Sequence, residues 1–231
     1  MKKNIYHLFR WSFKFILVFM SLSIFIIFGL RYFNPPISSF MIQAKIQSNA
    51  DRVTQKWVSF EDMSPYIKIA VIASEDQKFF EHHGFDIESI KKAWVDIQQG
   101  KRIRGASTIS QQLAKNLFLW PSKSFFRKGM EAYFTGLIEL MWSKQRILEV
   151  YLNIIEFGQG YYGVESASQA YCNVSVKNLS IKQGALLAAV LPNPHRFHVN
   201  KPSRYIIKRR DWIVQQIKQL GGKVFLNKHF Q

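Results

Sequence analysis

The hydrophobic pattern divides the chain sharply. From Trp11 to Leu30 almost every position is apolar, and Lys14 is the single charge. A run of about 20 such residues, helical at about 1.5 Å per residue, reaches the roughly 30 Å of a bilayer's hydrocarbon core. Lys14 lies near the start of the run, where a long side chain can reach the headgroups. Arg31-Tyr32-Phe33-Asn34-Pro35-Pro36 follows, bulky and without the small-x-small site that would favour a cleaved signal peptide. The expected organisation is a short N-terminus (1–10), a transmembrane anchor (11–31), a membrane-proximal linker (32–60) and a folded domain (61–231). Lys2, Lys3 and Arg10 precede the span and only Arg31 closely follows it, so the N-terminus is expected in the cytoplasm and the domain outside it.

Beyond the span the pattern is helical. Ser64-Pro65 offers an N-cap and a first-turn proline ahead of the apolar Ile67–Ile72 stretch. Asp86 caps a helix to about Gln99, with Gly100 as its stop. Further helices are predicted from near Thr108, over Phe125–Trp142, over Ser143–Phe157 (ended by Gly158 and Gly160) and over Gly163–Tyr171. Ser180-Ile181-Lys182-Gln183 has the form of a capping box before Ala185–Val190. Pro202-Ser203 opens a last amphipathic helix that Gly221-Gly222 stops. The folded part is expected to be mainly α, and between the anchor and residue 60 the pattern predicts no definite element.

Charge changes the picture. Lys and Arg number 32 against 15 acidic residues, a net charge of +17. Such an excess suits an anionic partner: nucleic acid, an acidic membrane surface or a phosphorylated substrate. A domain outside the cytoplasm argues against nucleic acid. The one cysteine, Cys172, excludes an internal disulfide framework.

Three polar clusters carry candidate chemistry. In Ser74-Glu75-Asp76 a carboxylate ends an apolar helix, where partial desolvation makes it a better base; the plainer alternative is a solvated helix end. His82 and His83 follow, but adjacent helical histidines point about 100° apart and make no metal site without further ligands. Gly105-Ala106-Ser107-Thr108 opens a helix whose free N–H groups favour anions, and Gln111 and Lys115 share a face of it. Arg127 and Glu131 are spaced i, i+4, as in an ordinary surface ion pair. Glu149 and Asn153 align likewise, with a capping role as open as a functional one.

Taken in order, Glu75-Asp76-x-x-Phe79-x-x-His82-x-Gly84, Gly105-x-Ser107-Thr108-Ile109-x-Gln111-Gln112-x-x-Lys115-Asn116, Arg127-Lys128-x-x-Glu131 and the Lys144–Asn153 stretch closely resemble the successive motifs of the peptidoglycan glycosyltransferase family. The resemblance runs from about residue 60 to 200. It implies a lysozyme-like, mainly α domain with a cleft opening near the bacterial inner membrane, acting on lipid II, a disaccharide-pentapeptide on undecaprenyl diphosphate. By motif position Glu75 matches the catalytic base and Glu131 the second essential carboxylate. Lys115 and Arg127 match contacts to the diphosphate region, with Ser107, Thr108, Gln112, Asn116, Lys123 and Lys128 as further binding candidates. Lys123 stands where many relatives carry Arg, which removes a bidentate phosphate contact there. No cofactor is implied with certainty, and a divalent cation is left open. Penicillin-binding proteins and other wall-synthesis proteins are candidate partners. With no room for a penicillin-binding domain, the expected product is uncrosslinked β-1,4 glycan. The chemistry agrees: expelling a diphosphate calls for a base and preorganised cations, whereas a glycosidase must protonate its leaving oxygen. Competing readings are a lysozyme-like hydrolase of finished peptidoglycan and a non-catalytic scaffold of a wall-building complex.

Overall fold

A computed structural model describes residues 2–47, 53–100 and 107–230. Contacts divide the chain into two units, one ending at Pro35 and the other beginning at Pro36. The first is helix α1 (Lys2–Tyr32), whose stretch Phe9–Tyr32 is long and apolar enough to cross a membrane.

The second unit is built on two helices that are apolar nearly all round and therefore buried. Helix α2 (Ser39–Gln47) and the two-residue strand β1 (Thr54–Gln55) come first. Helix α3 (Pro65–Glu75) follows, with Ser64 accepting from the Tyr66 N–H and Pro65 in the first turn. Ile67 to Ala73 are all buried on it. Next come α4 (Ile87–Gln98), capped by Asp86, α5 (Ile109–Phe118), α6 (Phe125–Met141) and α7 (Lys144–Ile154). Strands β2 (Glu156–Gly158) and β3 (Tyr161–Tyr162) precede α8 (Val164–Cys172) and α9 (Ile181–Val190), which opens on the Ser180–Gln183 capping box. Helices α10 (Arg204–Gln219) and α11 (Gly222–His229) close the described chain. Helix α9 packs against both α3 and α10, while α5 packs against α6, α7 and α2. The mainly α expectation holds, and most predicted caps are in place.

Two predicted elements differ. The helix expected over Ser143–Phe157 ends at Ile154, and Glu156-Phe157-Gly158 extends instead. Here β3 pairs antiparallel with β2 and parallel with β1, in the order β1-β3-β2. Gly160, at φ +82°, turns the chain between β2 and β3, so the two glycines belong to a hairpin and not to a helix stop. The helix from Ser203 is also not the last. After Gly221 the chain forms α11, held by rings: Phe80 meets Phe225, His229 and Phe230, and Phe230 meets Phe60.

Candidate active site

Helix α3 ends in a cleft of about 1460 Å³ walled by α2, α5, the β2–β3 hairpin and α10. Glu75, the last residue of α3, lines it with a side chain 11% exposed. Burial raises its pKa above the ordinary carboxylate value. Gln112, Arg209 and, more weakly, Ser74 pull the other way by stabilising the anion. Gln112 Nε2 donates to Oε2 at 3.1 Å, and Arg209 Nη2 lies 3.3 Å from Oε1. Glu75 is thus a carboxylate with weakened solvation and a fixed orientation, suited to accepting a proton.

The next residues brace that position. Asp76 accepts from the Ile109 N–H at 3.0 Å, joining the end of α3 to the start of α5. His82 Nε2 lies 2.9 Å from Asp76 Oδ1, and the Gly84 N–H donates to Nδ1 at 3.1 Å. A neutral His82 with its proton on Nε2 satisfies both contacts. Gly84 needs its missing side chain: φ is +87°, and a Cβ would stand 2.8 Å from Thr135 Cγ2. Lys144 Nζ ties the His82 carbonyl (2.7 Å) to Glu139 (2.8 Å). Both His82 and Lys144 serve the architecture of the turn.

Helix α5 supplies the polar wall. Thr108 is buried as its N-cap; its hydroxyl donates to the Gly84 carbonyl at 2.7 Å and accepts from the Gln111 N–H at 3.2 Å. That hydroxyl is occupied by the fold, so Thr108 shapes the cleft edge where Ser107, exposed, lines it directly. Gly105 and Ala106 lie outside the described residues. Gln112, Lys115 and Asn116 all face the cleft. Asn116 Nδ2 donates back to the Gln112 carbonyl at 2.7 Å. Burial lowers the Lys115 pKa, and the nearby charges of Arg127 and Lys128 push it the same way against Glu131.

Those three charges form a group on α6. Glu131, 3% exposed, pairs through one oxygen with Arg127 and through the other with Lys128. Arg127 is buried as well, and its Nε donates to the Ser122 carbonyl at 2.6 Å. The spacing alone predicts an ordinary surface pair; the structure puts the Arg127–Glu131 pair in the interior. Neither residue lines the cleft, and their charge acts from behind Lys115. Lys123 is exposed in the loop ahead of α6. Among the described residues no three His, Cys, Asp or Glu side chains gather as metal ligands.

Sequence reasoning misses three participants. Arg209 sits on α10 between buried Ile206 and Ile213, three and four residues away. That helical spacing marks it as inward-facing despite its basic neighbours. Tyr151, fully buried on α7, donates its hydroxyl to Gln112 Oε1 at 2.9 Å. Its place one turn from buried Ile147 and Leu148 marks a core position with a polar tip. Glu156, also lining the cleft, accepts from the Gly160 N–H at 3.0 Å and lies 3.0 Å from His195 Nε2. Glu156 is the other carboxylate among the cleft-lining residues.

An oriented carboxylate at the end of a buried helix, beside a lysine backed by further cations, sets a candidate proton acceptor next to positive charge suited to an anionic group. Comparison with known proteins narrows this. Residues 42–218 match the family model described as Transglycosylase. A protein from Pseudomonas fluorescens named biosynthetic peptidoglycan transglycosylase is 47% identical over 96% of this chain and 94% of its own length. Proteins of the same name from Stutzerimonas stutzeri and Shewanella oneidensis are each 48% identical, over 93% and 95% of this chain and 90% and 95% of their own lengths. The chain belongs to the transglycosylase family.

Proposed function

We propose that this protein is a peptidoglycan glycosyltransferase that polymerises lipid II into glycan strands and releases undecaprenyl diphosphate. The observation that carries the reading is Glu75: a desolvated carboxylate, oriented by Gln112 and Arg209, in a cleft whose α5 wall presents Lys115. The names of the relatives supply the substrate class.

In this mechanism Glu75 takes the proton of the acceptor's N-acetylglucosamine 4-hydroxyl. The freed oxygen attacks C1 of the N-acetylmuramic acid at the reducing end of the growing chain, inverting that carbon. The C1–O bond to the diphosphate breaks, and the leaving anion needs no protonation because Lys115 faces it. Arg127 and Lys128 add positive potential behind Lys115, and Glu131 fixes them in place. This assigns Arg127 a supporting charge where motif position alone suggests direct contact. With both oxygens of Glu131 taken by cations, the motif's second carboxylate is poorly placed to act on a sugar as a glycosidase requires, which weighs against the hydrolytic alternative. Ser107 and Asn116 are assigned to substrate contact from the cleft wall, and Lys123 to the diphosphate or headgroup side.

Helix α1 is assigned as a single-pass anchor with the N-terminus cytoplasmic and the catalytic unit periplasmic. Penicillin-binding proteins and other wall-synthesis proteins are the proposed neighbours, since strands made here require a crosslinking activity. The test is incubation of the protein with labelled lipid II in detergent. Polymer that lengthens with time, undecaprenyl diphosphate release and loss of at least about 100-fold in Glu75→Gln are expected. Untouched lipid II together with shortening of purified glycan strands would instead establish a lytic enzyme.

A further inference from the structure

We propose that Tyr151 is a positioning residue for the reaction: its hydroxyl sets the sense of the Gln112 amide, so that the NH2 end and not the carbonyl meets Glu75. The inference rests on the assignment of Glu75 as the base.

A glutamine amide is nearly symmetric in shape but opposite in function at its two ends; a half-turn exchanges donor and acceptor. Gln112 stands between two groups. Tyr151 Oη lies 2.9 Å from Oε1, and Glu75 Oε2 lies 3.1 Å from Nε2. Tyr151 is fully buried on α7, and burial, reinforced by the charges of Glu75 and Asp76, pushes its pKa well above the ordinary phenol value. The phenol therefore remains an O–H donor at any pH at which the protein works. Facing a fixed donor, the amide turns its oxygen to Tyr151 and its NH2 to the carboxylate. The reverse sense would set the amide oxygen against the Glu75 anion and leave the phenolic proton without an acceptor in a dry interior, where an unmade hydrogen bond is costly. The Gln112 backbone adds stiffness, since its carbonyl accepts from Asn116 Nδ2.

The consequence is directional. A donor aimed at Oε2 favours the ionised carboxylate, the form that accepts the acceptor sugar's proton. The charged groups that act on Glu75 are Arg209 from α10 and adjacent Asp76, while Lys115, Lys208, Glu156, His195, Tyr162 and Tyr205 are the further titratable residues lining the same cleft. Among these Arg209 alone touches the carboxylate, on the oxygen that Gln112 leaves free. Gln112 and Arg209 thus hold one oxygen each, and Tyr151 acts on the first of them at one remove.

The test uses the full-length protein in detergent, with turnover of lipid II followed across pH for the wild type, Tyr151→Phe, Gln112→Met and the double variant. Tyr151→Phe should lower kcat roughly tenfold, as the loss of about one hydrogen bond's worth of orientation, with KM within about twofold. The acid limb of its rate profile should move to higher pH, because the anion loses a donor. Gln112→Met should move the limb the same way, and the double variant should be no slower than Gln112→Met alone. A folded Tyr151→Phe whose limb stays in place, or a double variant slower by the product of the two single effects, overturns the proposal and leaves Tyr151 a packing residue. Should Tyr151→Phe fail to fold, Gln112→Met carries the same reading: a limb that rises supports the link to Glu75, and an unmoved limb overturns it. Glu75→Gln separates the two levels. If it is inactive while the limb stays unmoved in the other variants, only the positioning role fails; if it turns over normally, the base itself is misassigned.

Discussion

At the scale of single residues, the site divides by how each side chain is partnered. Glu75, Gln112 and Lys115 present their polar atoms to the cleft, and their motif spacing makes them legible in the sequence. Arg209 and Tyr151 are not legible there, because what gives each its role is a contact made across the fold. Arg209 reaches Glu75 over 134 positions of chain and Tyr151 reaches Gln112 over 39, distances at which no local spacing speaks. Glu131 is an intermediate case: its i, i+4 partner is visible in the sequence, but its burial is not. That burial sets the size of a prediction. Glu131→Gln leaves the buried Arg127 guanidinium without its counter-charge, and breaking a buried pair from one side costs about 3–5 kcal/mol. Urea unfolding should show a loss of that order, against the few tenths expected of an exposed helical pair. Turnover should fall as well, since Arg127 and Lys128 would lose the group that fixes them behind Lys115. A loss below about 1 kcal/mol would mean the pair is solvated after all.

Elements with a complete local signal form as the sequence indicates. Ser64, Asp86, Thr108, Ser143, Ser180 and Ser203 each cap the helix that follows through a side-chain oxygen. The elements that sequence patterning misses lack such signals. The two-residue strand β1 exists only through pairing with a segment about a hundred positions away, Thr54 with Tyr161, and β2 and β3 are too short to show a strand period, forming by pairing with each other across a tight hairpin. Helix α11 begins on Gly222 behind a Gly221 N-cap without a side-chain bond, and is stabilised by aromatic contacts with Phe60 and Phe80 and by packing on α3, none of which is local. The start of α5 shows how a cap and a site depend on each other. Thr108 closes a reciprocal box with Gln111 and also bonds the Gly84 carbonyl, while the next N–H, of Ile109, holds Asp76 beside Glu75. Thr108→Ala should destabilise the fold by about 1–2 kcal/mol through the lost cap. Its activity should fall by more than its stability explains, because Gln112 would no longer be set firmly against Glu75. Thr108→Ser, which keeps the hydroxyl, should recover most of both, as thermal melts and lipid II turnover would report. Equal activity in the Ala and Ser variants would detach the cap from the site.

At the scale of the whole molecule the chain joins an apolar helix to a basic, mainly α catalytic unit. This division is legible in the amino-acid pattern itself: a single unbroken apolar span, then helices rich in Lys and Arg. The net charge of +17 fits both halves of the proposed function, an anionic diphosphate in the cleft and an anionic lipid surface beside it. The proposed orientation rests on where the cations sit around the span. Lys2, Lys3 and Arg10 lie ahead of it, Lys14 lies within its first turns, and Arg31 closely follows its end. Basic residues close to a span are retained on the cytoplasmic side, and the bias here points the N-terminus inward. The proposed function calls for the same orientation, because glycan strands are assembled into the wall on the outer side of the membrane. Alkaline phosphatase fused after Gln231 matures only outside the cytoplasm and should therefore be active in cells. Reversing the bias, with Lys2, Lys3 and Arg10 replaced by Asn and three lysines inserted after Phe33, should reduce that activity severalfold at equal expression. An inactive reporter on the unaltered chain would place the catalytic unit in the cytoplasm, on the wrong side of the membrane for polymerising strands into the wall. The same result would send the +17 charge back in search of a cytoplasmic anion.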